Sequence, residues 1–200
     1  MPWDTLLTLF AIASASTWTP GPNNALLAAS GANFGFRRTV PHAQGVTWGF
    51  PLMFFAIALG LGEIFQREPL VAEVLRWLGA AILVWFAWRI ATAGRAGAGT
   101  RRGRPFTFVE AAAFQWINPK AWAMCIAVST QFVTGSAPVR EALICAAAYA
   151  LAGGLSSHAW AGFGASLQRV LLVPGRLRLF NLTMGALLLG FVVLLIADRG

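Results

Sequence analysis

The chain has 200 residues, 58% of them hydrophobic and 11% charged, where a soluble domain carries about 25% charged residues; a water-soluble surface is excluded. Its formal net charge of +8 reads as the Lys and Arg that membrane proteins gather in cytoplasmic loops, not as a nucleic-acid-binding face. Thr5–Phe36, Thr39–Gly62, Ala142–Gln168 and Leu179–Ala197 contain no Asp, Glu, Lys or Arg, and about 20 apolar residues in a helix cross a hydrocarbon core.

The first predicted helix, Trp3–Phe34, is interrupted by Thr19-Pro20-Gly21-Pro22-Asn23-Asn24. Two prolines there remove backbone donors and Gly21 removes stiffness. Met1–Phe10 holds Asp4 and no Lys or Arg, so it lacks the basic region of a cleaved signal peptide and reads as a retained helix. The second helix, Thr39–Gly62, contains His42 and the GxxxG of Gly45 and Gly49, which lets two helix backbones approach. Packing within the chain is favoured over a dimer contact, and a homo-oligomer stays open. The third helix, Pro69–Ala93, has Glu73 and Arg76 near one end and Arg89 near the other. It spans a bilayer if the arginines snorkel to the interfaces.

Gly94–Arg104 is rich in Gly and Arg and has no apolar periodicity. It marks a basic linker, 94–106, between two three-helix halves, 1–93 and 107–200. The fourth helix, Thr107–Phe132, starts with Glu110 in its first turn, where the dipole favours a carboxylate. It is interrupted by Gln115-Trp116-Ile117-Asn118-Pro119-Lys120. The fifth, Pro138–Leu167, carries His158, and the sixth is Arg176–Ala197. Cys125 and Cys145 lie inside apolar runs without metal-type spacing, which fits core thiols.

With six crossings, Arg37 and Arg38, the Arg89–Arg104 group, and Arg169, Arg176 and Arg178 fall on one side. By the positive-inside rule that side is cytoplasmic and both termini are periplasmic. Three crossings in each half make the halves opposite in topology. The expected fold is therefore an all-α membrane protein of about six transmembrane helices in a 3+3 inverted-topology repeat, with the first and fourth helices broken.

Matched breaks in corresponding helices point to a transporter's binding site. A broken helix frees N–H and C=O groups that hydrocarbon cannot satisfy, and half-helix N-termini suit a carboxylate. The candidate substrate-binding residues are Pro20, Gly21, Pro22, Asn23, Asn24, Gln115, Asn118, Pro119 and Lys120. The amides of Asn23, Asn24, Gln115 and Asn118 offer both donors and acceptors. Lys120 is the only lysine; it is placed to hold a substrate carboxylate, to take part in proton coupling, or to pair with carbonyls of a helix break. His42 and His158 are candidates for a proton relay, because imidazole titrates near neutrality. No catalytic set, metal spacing or cofactor motif accompanies them. A passive channel for small metabolites built on the same breaks is the nearer competing reading, and a membrane-embedded enzyme the more distant one.

Thr19-Pro20-Gly21-Pro22-Asn23 followed by Gly35-Phe36-Arg37, Gly45 and Gly49, together with Asn118-Pro119-Lys120, resembles the signatures of the LysE/RhtB superfamily of bacterial amino-acid exporters over nearly the whole chain. Leu78-Gly79-Ala80-Ala81, Trp85 to Thr92, Trp160-Ala161, Gly164 and Gln168-Arg169 are most similar to its cysteine/O-acetylserine branch. Ile82 stands where many members have Tyr, and no acidic residue stands near Ser157–His158, where several members carry one. The resemblance implies efflux of amino acids or close metabolites across the bacterial inner membrane, driven by the proton motive force. Its partners are then an amino-acid substrate, protons and the bilayer. All seven acidic residues fall at predicted termini, loops or helix ends, so a basic side chain would find no central carboxylate. The expected substrates are small and neutral.

Overall fold

The computed structural model describes residues 1–62, 68–93, 103–135 and 137–197. Most of the basic linker, along with Glu63, Arg67, Asp198 and Arg199, lies outside the described residues. Eight α-helices are present among the described residues: α1 Trp3–Trp18, α2 Pro22–Phe34, α3 Phe36–Ala56, α4 Pro69–Ala91, α5 Phe108–Gln115, α6 Pro119–Phe132, α7 Pro138–Ser166 and α8 Pro174–Ala197.

Local chemistry sets these boundaries. Helix α1 stops at Thr19, which is extended at φ −59° and ψ 131° because a residue before proline is pushed out of the helical region. Pro22 then opens α2 at the position where a missing N–H costs nothing. Gly35, at φ 86°, ends α2 and lets α3 begin at once. The second long helix therefore starts at Phe36, three residues before the expected Thr39, and carries Arg37 and Arg38 in its first turn. It ends in a π-type turn, Ile57–Leu61, with Gly60 at φ 132°. Thr107 caps α5 in a reciprocal capping box with Glu110. The last helix begins at Pro174, two residues before the expected Arg176.

The stretches Phe36–Leu61, Glu73–Ala91, Pro138–Ser166 and Gly175–Ala197 are each long and apolar enough to cross a membrane. Much of their surface is apolar and uncovered: Leu151, Leu155, Leu179, Val193 and Leu194 are all exposed. Lipid is the solvent that such a surface needs. The chain is a multi-pass membrane protein.

The two largest of four apolar clusters among the described residues are connected by the broken helices. Leu9 and Ala13 of α1 and Cys125 and Val128 of α6 join Met53, Phe54, Cys145 and Tyr149 in one. Leu26 of α2 and Phe114 of α5 join Leu83, Phe86, Leu188 and Val192 in the other. Each interruption thus lies where its helix passes from one cluster to the other. Both cysteines are buried, free thiols.

Small residues allow the closest crossings. A Cβ on Gly31 would come within 2.9 Å of the Ala165 nitrogen, and one on Gly164 within 2.9 Å of the Ala32 nitrogen, so α2 and α7 pack backbone to backbone. Gly45 and Gly49 meet α5, where a Cβ would approach the Ala111 and Ala112 methyls at 2.7 and 2.9 Å. The GxxxG pair is used inside the chain. Asn33 and Asn181 exchange side-chain hydrogen bonds at 2.9 and 3.2 Å and tie α8 to α2.

Candidate substrate-binding cavity

Ending α1 before Pro20 leaves its last carbonyls without helical partners. Asn24, just past the break, donates its amide to the carbonyls of Thr17 at 2.9 Å and Thr19 at 3.0 Å. Ser156 Oγ on α7 donates to Thr17 at 2.8 Å, and Lys120 Nζ on α6 donates to Thr19 at 2.9 Å. Gly21 makes room for this ammonium, since a Cβ there would lie 3.1 Å from Nζ. Helix α2 begins on Gly21 with no side-chain cap, and an uncapped helix start suits an anionic group.

The fourth-helix break is narrower. After a tight turn at Gln115–Asn118, Asn118 leaves helical geometry at φ −84° and ψ 110°, and its side chain accepts from the Lys120 N–H at 3.2 Å. The two breaks meet directly. Asn23 donates to Gln115 Oε1 at 2.9 Å, while Gln115 donates back to Asn23 at 3.3 Å and to the Ala111 carbonyl at 2.9 Å.

Between them lies a cavity. Gly21, Asn23, Asn24, Asn118 and Lys120 line it. Pro20, Pro22 and Pro119 shape the backbone without lining it, and Gln115, fully buried, stands behind Asn23. Among the described residues, Lys120 is the one charged residue in its wall and no carboxylate lines it.

Sequence reasoning missed two thirds of the wall, including Ser16 and Thr17 of α1, Val46 and Phe50 of α3, Met124 of α6, and Tyr149, Ser156 and Ser157 of α7. Tyr149, the only tyrosine in the chain, stacks at an angle on Phe50 with ring centres 4.9 Å apart and lies 3.3 Å from Ser16 Oγ. A lone phenol in an otherwise apolar run was the available signal.

Neither histidine lines this cavity. His158 Nδ1 donates to the Gly154 carbonyl at 2.7 Å, and its Nε2 receives Gln44 at 3.2 Å. His42 lines a separate cavity with Arg89 and Phe106.

A family model described as LysE type translocator matches residues 14–199. The cysteine/O-acetylserine efflux proteins of Escherichia coli strain K12, Shigella flexneri and Escherichia coli O1:K1 / APEC are each 29% identical to the chain over 159 residues, covering 79% of it and 81% of the relative. No solved structure matches the chain. With the match running through both breaks and nearly to the carboxyl end, the chain belongs to the LysE type translocator family.

Proposed function

We propose that the chain exports small neutral amino acids, or close metabolites, across the bacterial inner membrane under the proton motive force, binding them between the two breaks. The observation that carries this reading is a cavity walled by both breaks in which, among the described residues, the only charged side chain is a lysine. A substrate carboxylate suits Lys120 and the uncapped start of α2. The ammonium suits the hydroxyls of Ser16, Ser156 and Tyr149, and Phe50 and Met124 suit a short apolar side chain. A cationic side chain would be desolvated without a partner. Lys120 is also the group at which substrate and proton meet, since both histidines lie elsewhere.

Six crossings in an inverted repeat are supported by reciprocal packing. Helix α2 packs on α7 and α8; α5 packs on α3, and its Phe114 meets Phe86 of α4. The Arg38 guanidinium lies 5.7 Å from the centre of the Phe34 ring, and a Cβ on Gly103 would sit 3.4 Å from the same ring and 4.0 Å from Arg89. The arginines flanking α3, α4 and α5 thus gather at one end, as a spanning third helix with periplasmic termini requires.

The relatives' names make O-acetylserine and cysteine the first substrates to test. Everted membrane vesicles with an imposed proton gradient should accumulate labelled O-acetyl-L-serine saturably. Excess cysteine or threonine should block this uptake and excess lysine should not. Stronger block by lysine would overturn the assignment to neutral substrates, and uptake indifferent to the gradient would indicate a passive channel.

A further inference from the structure

A second cavity lies between α2, the start of α3, the end of α4 and Gly103–Phe106. His42 lines it, is 2% exposed, and has no hydrogen-bond partner for either ring nitrogen among the described residues. Its ring lies against Phe106, with centres 4.8 Å apart, which supplies apolar contact and no acceptor. Buried polar atoms are nearly always paired in native proteins, so an imidazole open at both nitrogens and facing a cavity points to a polar ligand.

Charge says which ligand. Arg104 is held by Glu110 at 2.6 Å, and its charge is balanced. Arg89 also lines the cavity, its guanidinium 4.8 Å from the centre of the Trp85 ring, and it has no acidic partner among the described residues. Among the described residues no acidic residue lines the cavity; Glu110, which shares a neighbouring hollow with Arg89, is taken up by Arg104, and residues 94–102 contain no acid. The space therefore offers one uncompensated guanidinium, an imidazole with a free donor and a free acceptor, and apolar faces from Phe86 and Phe106. That combination fits a small carboxylate bearing a second polar group.

Helix α2 walls both cavities, with Asn24 at the break cavity and Ser30 at this one; six residues of helix separate them by roughly 9 Å. We propose that the second cavity is a separate binding station for the amino-acid substrate at the arginine-rich end, where Arg89 holds the carboxylate and His42 the second polar group before the substrate reaches the breaks. This rests on the exporter reading for the identity of the ligand.

The test uses the full chain, labelled with ¹⁵N at histidine, in phosphatidylcholine nanodiscs. O-acetyl-L-serine should shift the His42 ring resonances saturably and leave those of His158 in place. The shift should survive Asn23→Ala, which damages the break cavity alone. Arg89→Gln should weaken the apparent affinity at least tenfold. Should that variant fail to fold, Arg89→Lys, which keeps the charge and loses the fork, should still weaken it. 2-Aminoethyl acetate, which lacks the carboxylate, should leave His42 unmoved. Absence of a His42 shift with O-acetyl-L-serine, an equal shift with the amine, or full affinity in the Arg89 variants would overturn the station. A shift produced only by adding phosphatidylglycerol would assign the cavity to a lipid headgroup and overturn it as well. If the His42 shift persists while proteoliposomes show no counterflow of O-acetyl-L-serine, the exporter reading falls and the carboxylate site stands. Counterflow without a shift has the opposite meaning.

Discussion

The first and fourth helices are interrupted by different means. At the first break, Thr19 and Gly21 are both extended, and the freed carbonyls of Thr17 and Thr19 are served by Asn24, Ser156 and Lys120, from three helices. At the fourth, Asn118 leaves helical geometry and caps the following helix with its own side chain. One break is acceptor-rich and depends on tertiary donors; the other is self-capped and supplies one of them, Lys120. Matched interruptions therefore need not be equivalent. We read the self-capped break as a fixed frame and the acceptor-rich one as the place where a ligand's ammonium or carboxylate would compete for existing hydrogen bonds.

If this contrast is right, the largest effect should come from Gly21→Val. The new side chain would enter space within 3.0 Å of Lys120 Cδ and 3.1 Å of Nζ, moving the ammonium off the Thr19 carbonyl. A lost hydrogen bond to a charged group is worth ~1.5–3 kcal/mol, so export of labelled O-acetyl-L-serine should fall at least about tenfold, while membrane immunoblots show normal insertion. Export at the wild-type rate would show that the ammonium's seat does not matter.

A smaller effect separates the two breaks in stability. Asn24→Ala removes the amide that serves both Thr17 and Thr19 and should cost ~1–3 kcal/mol. Asn118→Ala removes one cap bond and should cost ~1 kcal/mol. Thermal unfolding in detergent should rank Asn24→Ala as the less stable variant. The reverse order would make the fourth-helix break the dependent one.

Proline and glycine made the breaks legible in the sequence, because their effects on the backbone are local and survive any tertiary context. The same holds for the GxxxG pair, whose partner helix was not legible but whose close approach was. The α7 wall was harder. Tyr149, Ser156 and Ser157 sit on a regular helix of 29 residues, and which of its faces meets the breaks is decided by the backbone crossing at Gly31 and Gly164, a non-local fact. Asn33 and Asn181 escaped notice for the same reason: two amides 148 positions apart show no pattern until α2 and α8 are side by side. The start of α3 was misplaced because a single glycine at positive φ joins two helices without the loop that a boundary usually leaves.

The two breaks are proposed to form one substrate site. Counterflow of labelled O-acetyl-L-serine in proteoliposomes tests it most directly, comparing wild type with Asn23→Ala and Asn118→Ala after gel filtration shows each variant folded. Both substitutions, on different helices, should reduce counterflow at least about tenfold, the loss that ~1.4 kcal/mol of binding or transition-state stabilisation would give; wild-type rates in both variants would contradict a shared site.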